Sequence, residues 1–581
     1  MASRRAIALA AAAAAALSLF LVRDHTRGDS LSADEPVHIL SGYFDVFARN
    51  AIVNIEHPPL MKILAGLALK TLPLPAAPAR VPMGLGLTRW GHDFFFRGPV
   101  PPDTIIAAAR APFLLLLALL LATVFFWARN RYGDGPALVA VALLAFDPNL
   151  VAHAGVVHTD LGAALTFLLA VIAWDHLRRA GPSIGNLAAA AGALGLALLT
   201  KFSAVYLLPI LLLQGLLAAR TAERPAGAIG RMLVRFGLVV AGAVAVVTGV
   251  YALVTSRMDL TDQREIIHEM VALRGAPGLS RAIEEIARVS PPLGHYLGGL
   301  ASVARQNAQG GGVNFLFGSV SSTGFPFYFF VAFFAKSALA FLVIAALSLY
   351  TLARDSRFRA DAALLLLPVG VLFLGSIGSS YNIGIRHMLP VYPLLALAGA
   401  ALFARARWKA PSRAVAWLLA ALPLLSAAEI ARIHPHELSY FNPLAGGPER
   451  GRRILSDSNV DWGLDLKRLA AEVRRRGVAD PTVAYFGGDD VGFRMGVRDF
   501  LEQPAVRGRL VAVSAFYLAE GPQFLRYQGT RESAAALEKL LTEIGARGRP
   551  AGRIGYSMEL FDLPPPGDSA SPGGGIVNNG R

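Results

Sequence analysis

The chain has 581 residues, 54% hydrophobic and 16% charged, where a soluble protein of this length would carry about a quarter charged residues. Its net charge of +15 is spread over loops, with no basic stripe interleaved with aromatics. That excludes nucleic acid as the partner and leaves membrane topology and anionic-lipid contact as the reading. There is no cysteine, so disulfide frameworks and thiol chemistry are excluded as well.

The apolar residues come in long blocks, the signature of a polytopic membrane protein. Met1–Leu21 has the form of a signal peptide, with Arg4 and Arg5 ahead of an alanine-rich core, and is read as an uncleaved anchor. The first span is expected over roughly 6–22. A polar connection follows over 23–103, in which Ser41–Ala51 and Leu60–Leu72 are too short to cross the bilayer and are expected to lie in its interface. Further spans are expected over 104–127, 136–151 and 160–176. The block 184–219 is too long for one helix and is split into two spans, with Lys201 at the outer surface between them. Span seven covers 235–254, and a polar connection then runs to Gln309-Gly310-Gly311-Gly312. Spans over 325–350, 361–376, 388–404 and 414–430 complete a set of eleven.

Basic residues test the count. Arg4 and Arg5, Arg129 and Arg131, Arg178 and Arg179, Arg220 and Arg231, Arg354, Arg357 and Arg359, and the group from Arg405 to Arg413 fall in every second gap. Those gaps are cytoplasmic under the positive-inside rule, which puts the amino terminus inside and everything after span eleven outside. Residues 1–431 are therefore expected to form the membrane domain and 432–563 an external α/β domain. In the latter, Pro481–Phe486 and Leu510–Tyr517 read as buried strands, Leu464–Arg475 and Ala534–Ile544 as amphipathic helices. The tail 564–581, rich in Pro, Gly and Ser, is expected to be disordered.

On this topology the outward connections collect ionisable groups, which are costly beside hydrocarbon and usually functional. Asp34, Glu35, His38, Glu56, His57 and Lys62 lie in the first; His153, His158 and Asp160 before span four; Lys201 between five and six; Tyr381, Asn382, Arg386 and His387 before span ten. A carboxylate there suits a general base, and Arg or Lys suits a phosphate. Simpler roles compete: Asp34-Glu35 and Asp160 as helix caps, Lys201 as a snorkelling lysine, Arg386 as a headgroup anchor. His153 reads as structural. Asp457, Asp461 and Asp465 imitate a calcium loop, but Trp462, Leu464 and the missing twelfth-position Glu favour helix capping and packing on the membrane domain. No HExxH or CxxC pattern is present, which disfavours a tight zinc site. A weakly bound divalent cation on Asp34 and Asp160 stays open.

Four of these segments carry a resemblance. Asp34-Glu35 just after span one, Glu56-His57-Pro58-Pro59-Leu60-Met61-Lys62, Val157-His158-Thr159-Asp160, and Arg386-His387-Met388-Leu389-Pro390-Val391-Tyr392-Pro393 resemble motifs of the GT-C glycosyltransferases that use a lipid-phosphate sugar donor, in the protein O-mannosyltransferase and aminoarabinose-transferase group. Met61 stands where that group commonly has glycine. The resemblance covers roughly residues 1–430; two later segments, His434–Asn442 and Asp457–Gly463, are similar to bacterial members of the group, and no β-trefoil repeat is visible.

The resemblance implies a mainly α, polytopic GT-C core and an inverting transfer of a sugar at the external face of a bacterial inner membrane. The donor is a polyprenyl-phosphate sugar; the acceptor is a glycan, lipid or protein. It makes Asp34 the base. Glu35 is read as catalytic beside it, and Glu56, His57, Lys62, His158, Asp160, Lys201, Tyr381, Arg386 and His387 are read from their places on the outer connections as substrate contacts. The resemblance does not settle metal dependence. The rival readings are a transporter or lipid flippase with an external accessory domain, and a scaffold whose membrane part only anchors it.

Overall fold

The computed structural model describes residues 4–78, 80–271, 277–355, 359–408 and 413–565; the expected tail therefore lies, from Pro566 onward, outside the described residues. Long apolar blocks become long helices because in lipid every backbone N–H and C=O must be satisfied within its own segment. The first is α1 (Arg4–Gly28), longer than expected. The first connection then folds into α2 (Glu35–Tyr43), α3 (Leu60–Leu69) and α4 (Leu85–Phe96). The helix expected from Ser41 in fact starts at Glu35 and ends in a π-helical turn, Phe44–Ala48. Pro36 at its start fits the first turn, where no N–H is needed. Helices α2 and α3 cross in tight contact at Gly42 and Gly66, where an added Cβ would stand 2.1 and 2.0 Å from backbone oxygens.

The helical body continues with α5 (Pro102–Tyr132), α6 (Asp134–Ala145), α7 (Pro148–Ala154), α8 (Asp160–Ala180), α9 (Ile184–Thr200), α10 (Leu207–Arg220) and α11 (Pro225–Val254). The block 184–219 is indeed broken at Lys201, with a 3₁₀ turn over Phe202–Tyr206 between its halves. The polar connection after α11 is more ordered than its composition announced: α12 (Leu260–Val271), α13 (Pro277–Val289), α14 (Pro291–Gln309), and the hairpin β1 (Asn314–Leu316) with β2 (Ser319–Ser321). Then come α15 (Tyr328–Lys336), α16 (Leu339–Arg354), α17 (Arg359–Ser376), α18 (Val391–Trp408) and α19 (Arg413–Ile433).

Each of the eleven expected spans is helical. Among the described residues, six helices are long and apolar enough to cross a membrane, or eight when α6–α7, bent by 63°, and α15–α16, bent by 119°, each count as one span. Helix α9 and the Val391–Ala404 part of α18 are shorter apolar helices.

The carboxy-terminal part holds a four-stranded sheet of order β3-β4-β6-β5, from β3 (Thr482–Ala484), β4 (Leu510–Ser514), β5 (Arg549–Ile554) and β6 (Met558–Asp562). β3 and β4 are parallel; the other pairs are antiparallel. Helices Leu466–Arg475 and Arg531–Arg547 pack their apolar faces on it. The expected strand over Leu510–Tyr517 stops at Ser514 and turns into a short helix. The segment before the sheet departs from the expected boundary at 432. Tyr440, Phe441, Leu455 and Val460 join the core of the helical body, and Trp462 packs on Ala152 and Val156 of the α7 region.

Candidate functional site

Asp34 precedes the first turn of α2, His158 and Asp160 stand at the start of α8, Lys201 at the break after α9, and Arg386 in a 3₁₀ turn before α18. The fold brings all five together. Arg386 Nη1 donates to Asp34 Oδ2 at 2.9 Å and contacts His158 Nε2 at 3.0 Å. His158 Nδ1 lies 2.7 Å from Asp160 Oδ2, and Lys201 Nζ donates to Asp160 Oδ1 at 2.5 Å. Asp160 also lies 4.0 Å from Arg386. The resulting relay, Lys201–Asp160–His158–Arg386–Asp34, is buried except at its end: the Asp34 side chain is 36% exposed, against 4% for Arg386 and 1% for Asp160. Burial alone would raise the Asp34 carboxyl, but Arg386 and His158 beside it hold it well below the usual carboxylate range.

A residue of the carboxy-terminal segment completes this wall. Trp462 lies under the Arg386 guanidinium, 4.4 Å from ring centroid to Cζ, and within 5.4 Å of the His158 ring. A flat cation on an indole face is held in one orientation. Nearby Asp457, with backbone φ of 55°, is pushed up to about 6 by burial, against the pull of Arg386.

Other expected site residues lie outside this relay. Glu35, expected beside Asp34 as a catalytic acid, is fully buried and turned into a separate ion pair. Arg110 Nε and the Val157 backbone N–H donate to Oε1 at 2.7 and 3.0 Å; Arg110 Nη2 and the Ser32 backbone N–H donate to Oε2 at 2.5 and 2.9 Å. Four donors occupy a carboxylate's four acceptor positions, so Glu35 ties the first connection to α5 and to the turn before α8. Lys62, expected at the substrate, spends its ammonium on the carbonyls of Asn54 and His57, both at 2.8 Å. It fixes the turn that presents His57. Met61, where the motif commonly has glycine, lies against Gly162, whose missing Cβ leaves room for the sulfur.

Glu56 is farther out. It accepts from Gln306 of α14, whose Oε1 accepts from Tyr381 Oη at 2.7 Å, a bridge from the first connection to the loop before α18. His387 lies 5.8 Å from the Phe329 ring. His153 is buried, its Nδ1 2.8 Å from the Asn149 carbonyl.

Two residues escaped the sequence reading, Arg110 and Lys336, and Trp462 was read there only for packing. Lys336 ends α15 at its sharp bend, buried, donating to the carbonyls of Leu438 and Asn459 at 2.6 Å each and lying 4.6 Å from the Phe441 ring. Arg110 and Lys336 both sit inside apolar blocks, and a charge there was itself the available signal.

No family model and no curated protein matches the chain. Among solved structures it is similar to ArnT from Cupriavidus metallidurans bound to undecaprenyl phosphate, with 14% identity, a TM-score of 0.45, and coverage of 97% of this chain and 99% of that one. The chain is also similar to the apo oligosaccharyltransferase of Archaeoglobus fulgidus, at 15% identity and a TM-score of 0.45 over 73% of this chain and 56% of that one. The archaeal AglB in complex with an inhibitory peptide and a dolichol-phosphate gives 15% identity, a TM-score of 0.42 and the same coverage.

Proposed function

We propose that the chain is a membrane glycosyltransferase that moves a sugar from a polyprenyl-phosphate donor to an acceptor at the external face, with inversion at the anomeric carbon. The observation that carries this reading is the pairing of a partly exposed carboxylate, Asp34, with a buried, oriented guanidinium, Arg386, at 2.9 Å. Asp34 takes the acceptor proton as the acceptor oxygen or nitrogen bonds to the anomeric carbon. The bond from that carbon to the phosphate oxygen breaks, and its electron pair leaves with the phosphate, which Arg386 and Lys201 stabilise.

Arg386 is shared between two partners in this scheme. Without donor it holds Asp34 ionised and weakly basic. A donor phosphate that draws the guanidinium toward itself frees Asp34, whose carboxylate becomes more basic when the acceptor is to be deprotonated. Glu35 and Lys62 are assigned to the scaffold, Glu56 and Tyr381 to the rim where an acceptor enters.

The bends at α6–α7 and α15–α16 favour the transporter reading, since broken helices build transporter sites. Against it, the α15–α16 break is filled from within the chain. Asn442 Nδ2 donates to the Ser337 carbonyl at 3.0 Å, and Lys336 is taken by Leu438 and Asn459.

Mass spectrometry of envelope glycans and lipids from a strain lacking the gene tests the function. A sugar lost from one acceptor and restored by the gene is the expected result; an unchanged glycome with altered uptake or export would favour the rival. For topology, reporter fusions at Arg220 and Arg450 are expected to read cytoplasmic and external, and two fusions on one side would refute the split at Lys201. For the phosphate grip, Arg386→Ala is expected to weaken donor binding more than Arg386→Lys, because guanidinium binds phosphate through two parallel N–H groups. Equal, unimpaired donor affinity in both would return Arg386 to a structural role.

A further inference from the structure

His38, His57 and His158 come from α2, from the turn before α3 and from the turn before α8. One imidazole nitrogen of each lies within 4.8 Å of the other two, and among the described residues they are the group of metal-donor side chains so gathered. The ring centroids are 4.8, 4.6 and 5.4 Å apart, and the planes are mutually steep, at 70°, 68° and 75°. We propose that these three histidines form a zinc site beside Asp34, with a fourth, open coordination position for an oxygen donor.

Several observations support this. Three imidazoles around a tetrahedral zinc, each with a metal–nitrogen bond of about 2.0–2.1 Å, have ring centroids on the order of 5 Å apart, the separation seen here. The nitrogens themselves must draw in, since that geometry needs them on the order of 3.3 Å apart. Ring rotations supply this movement.

The outer partners are of the kind that orient metal-bound histidines. His158 Nδ1 faces the Asp160 carboxylate at 2.7 Å, which leaves Nε2 as the lone-pair nitrogen. His57 Nδ1 faces Asn54 Oδ1 at 3.1 Å, which again leaves Nε2 free. Asn54 reaches only to 3.4 Å from His38 Nδ1, too far to fix that ring. Among the described residues, Nε2 of His38 and of His57 has no hydrogen-bond partner in the protein. Three nitrogen donors without thiolate suit zinc, and three protein ligands with one open position are the pattern of reactive rather than structural zinc.

Three cations, Arg386, Lys201 and Lys62, stand near the cluster and oppose a dication, and carboxylates offset part of that. Asp34 and Asp160 lie against Arg386 and Lys201, and the Lys62 ammonium is held by the Asn54 and His57 carbonyls. Two existing contacts of His158 Nε2 must yield: Arg386 Nη1 at 3.0 Å and Asp34 Oδ2 at 3.5 Å. Arg386 then keeps Asp34, and His158 turns its lone pair to the metal. No pair of these histidines is closer than nineteen positions in the sequence, which is why no short motif marks them.

The test uses full-length protein in detergent, stripped with a chelator and titrated with zinc and with cobalt(II), and it requires no sugar donor, so its outcome is independent of the proposed transfer reaction. Expected are one tightly held zinc per chain and a tetrahedral cobalt absorption spectrum. His57→Ala and His38→Ala are expected to weaken affinity at least about 100-fold, and Asp160→Asn, which removes an outer partner, about 10–100-fold. His295→Ala, at a buried histidine of α14 outside the cluster, is expected to keep one zinc. Thermal unfolding checks that each variant is folded; should the alanine variants fail to fold, His57→Gln takes their place. No retained zinc in the unaltered chain would overturn the proposal, as would equal zinc content in His57→Ala or His57→Gln and the unaltered chain.

Discussion

Asp34→Asn is expected to lower sugar transfer by roughly 10²–10⁴-fold, the usual worth of a general base, while the protein inserts and folds normally. The second half of that expectation follows from the site. Asp34 is the partly exposed end of the relay, and an amide oxygen can still accept from Arg386 at 2.9 Å. The measurement is transfer by purified protein with its true donor, beside restoration of the missing glycan in a deletion strain. Turnover near that of the unaltered protein would move the base elsewhere. Asp457, a nearby carboxyl pushed up to about 6, is then the next residue to replace.

Arg110→Ala is expected to cost about 3–5 kcal/mol of stability, because it leaves Glu35 as an uncompensated buried charge. In detergent this is read as a large drop in unfolding temperature. Replacing both partners with apolar residues of similar volume is expected to recover much of that loss, since what destabilises is the unpaired ion rather than the missing pair. A drop equally large in the double variant would instead show that the bonds of Arg110 to Ser30 and of Glu35 to Ser32 and Val157 dominate. Asp34 and Glu35 are adjacent in sequence and opposite in expected phenotype: one variant folds and fails to react, and loss of the other's partner lowers stability.

Much of the helical body was legible because length and apolarity decide what can cross lipid. The break at Lys201 followed from the length of the block 184–219 together with charge alternation. The start of α2 was misplaced because its first turn carries Glu35 and His38, which read as polar loop although both are buried. β5 was missed for the converse reason: its sequence, RPAGRI, is an exposed edge with proline and glycine and almost no apolar alternation. At the site, residue types were readable and directions were not. Asp34, His158, Asp160, Lys201 and Arg386 were all selected, but nothing in the order of residues separates Asp34, which faces the relay, from Glu35, which faces α5. The closeness of His38, His57 and His158 is a property of three-dimensional packing, with no counterpart in spacing.

The capping of Lys336 by carbonyls of Leu438 and Asn459 has a consequence for biogenesis. More than a hundred residues separate the ammonium from those carbonyls, and they are made after α15–α16 has been synthesised. Until they arrive, the bend carries a lysine with no acceptor in an apolar surrounding. A chain that stops at Ile433 therefore contains every expected span and still lacks the piece that closes them, so such truncations should be cleared by membrane quality control instead of accumulating as a stable core. The last segment to be made acts as the keystone of helices inserted long before it.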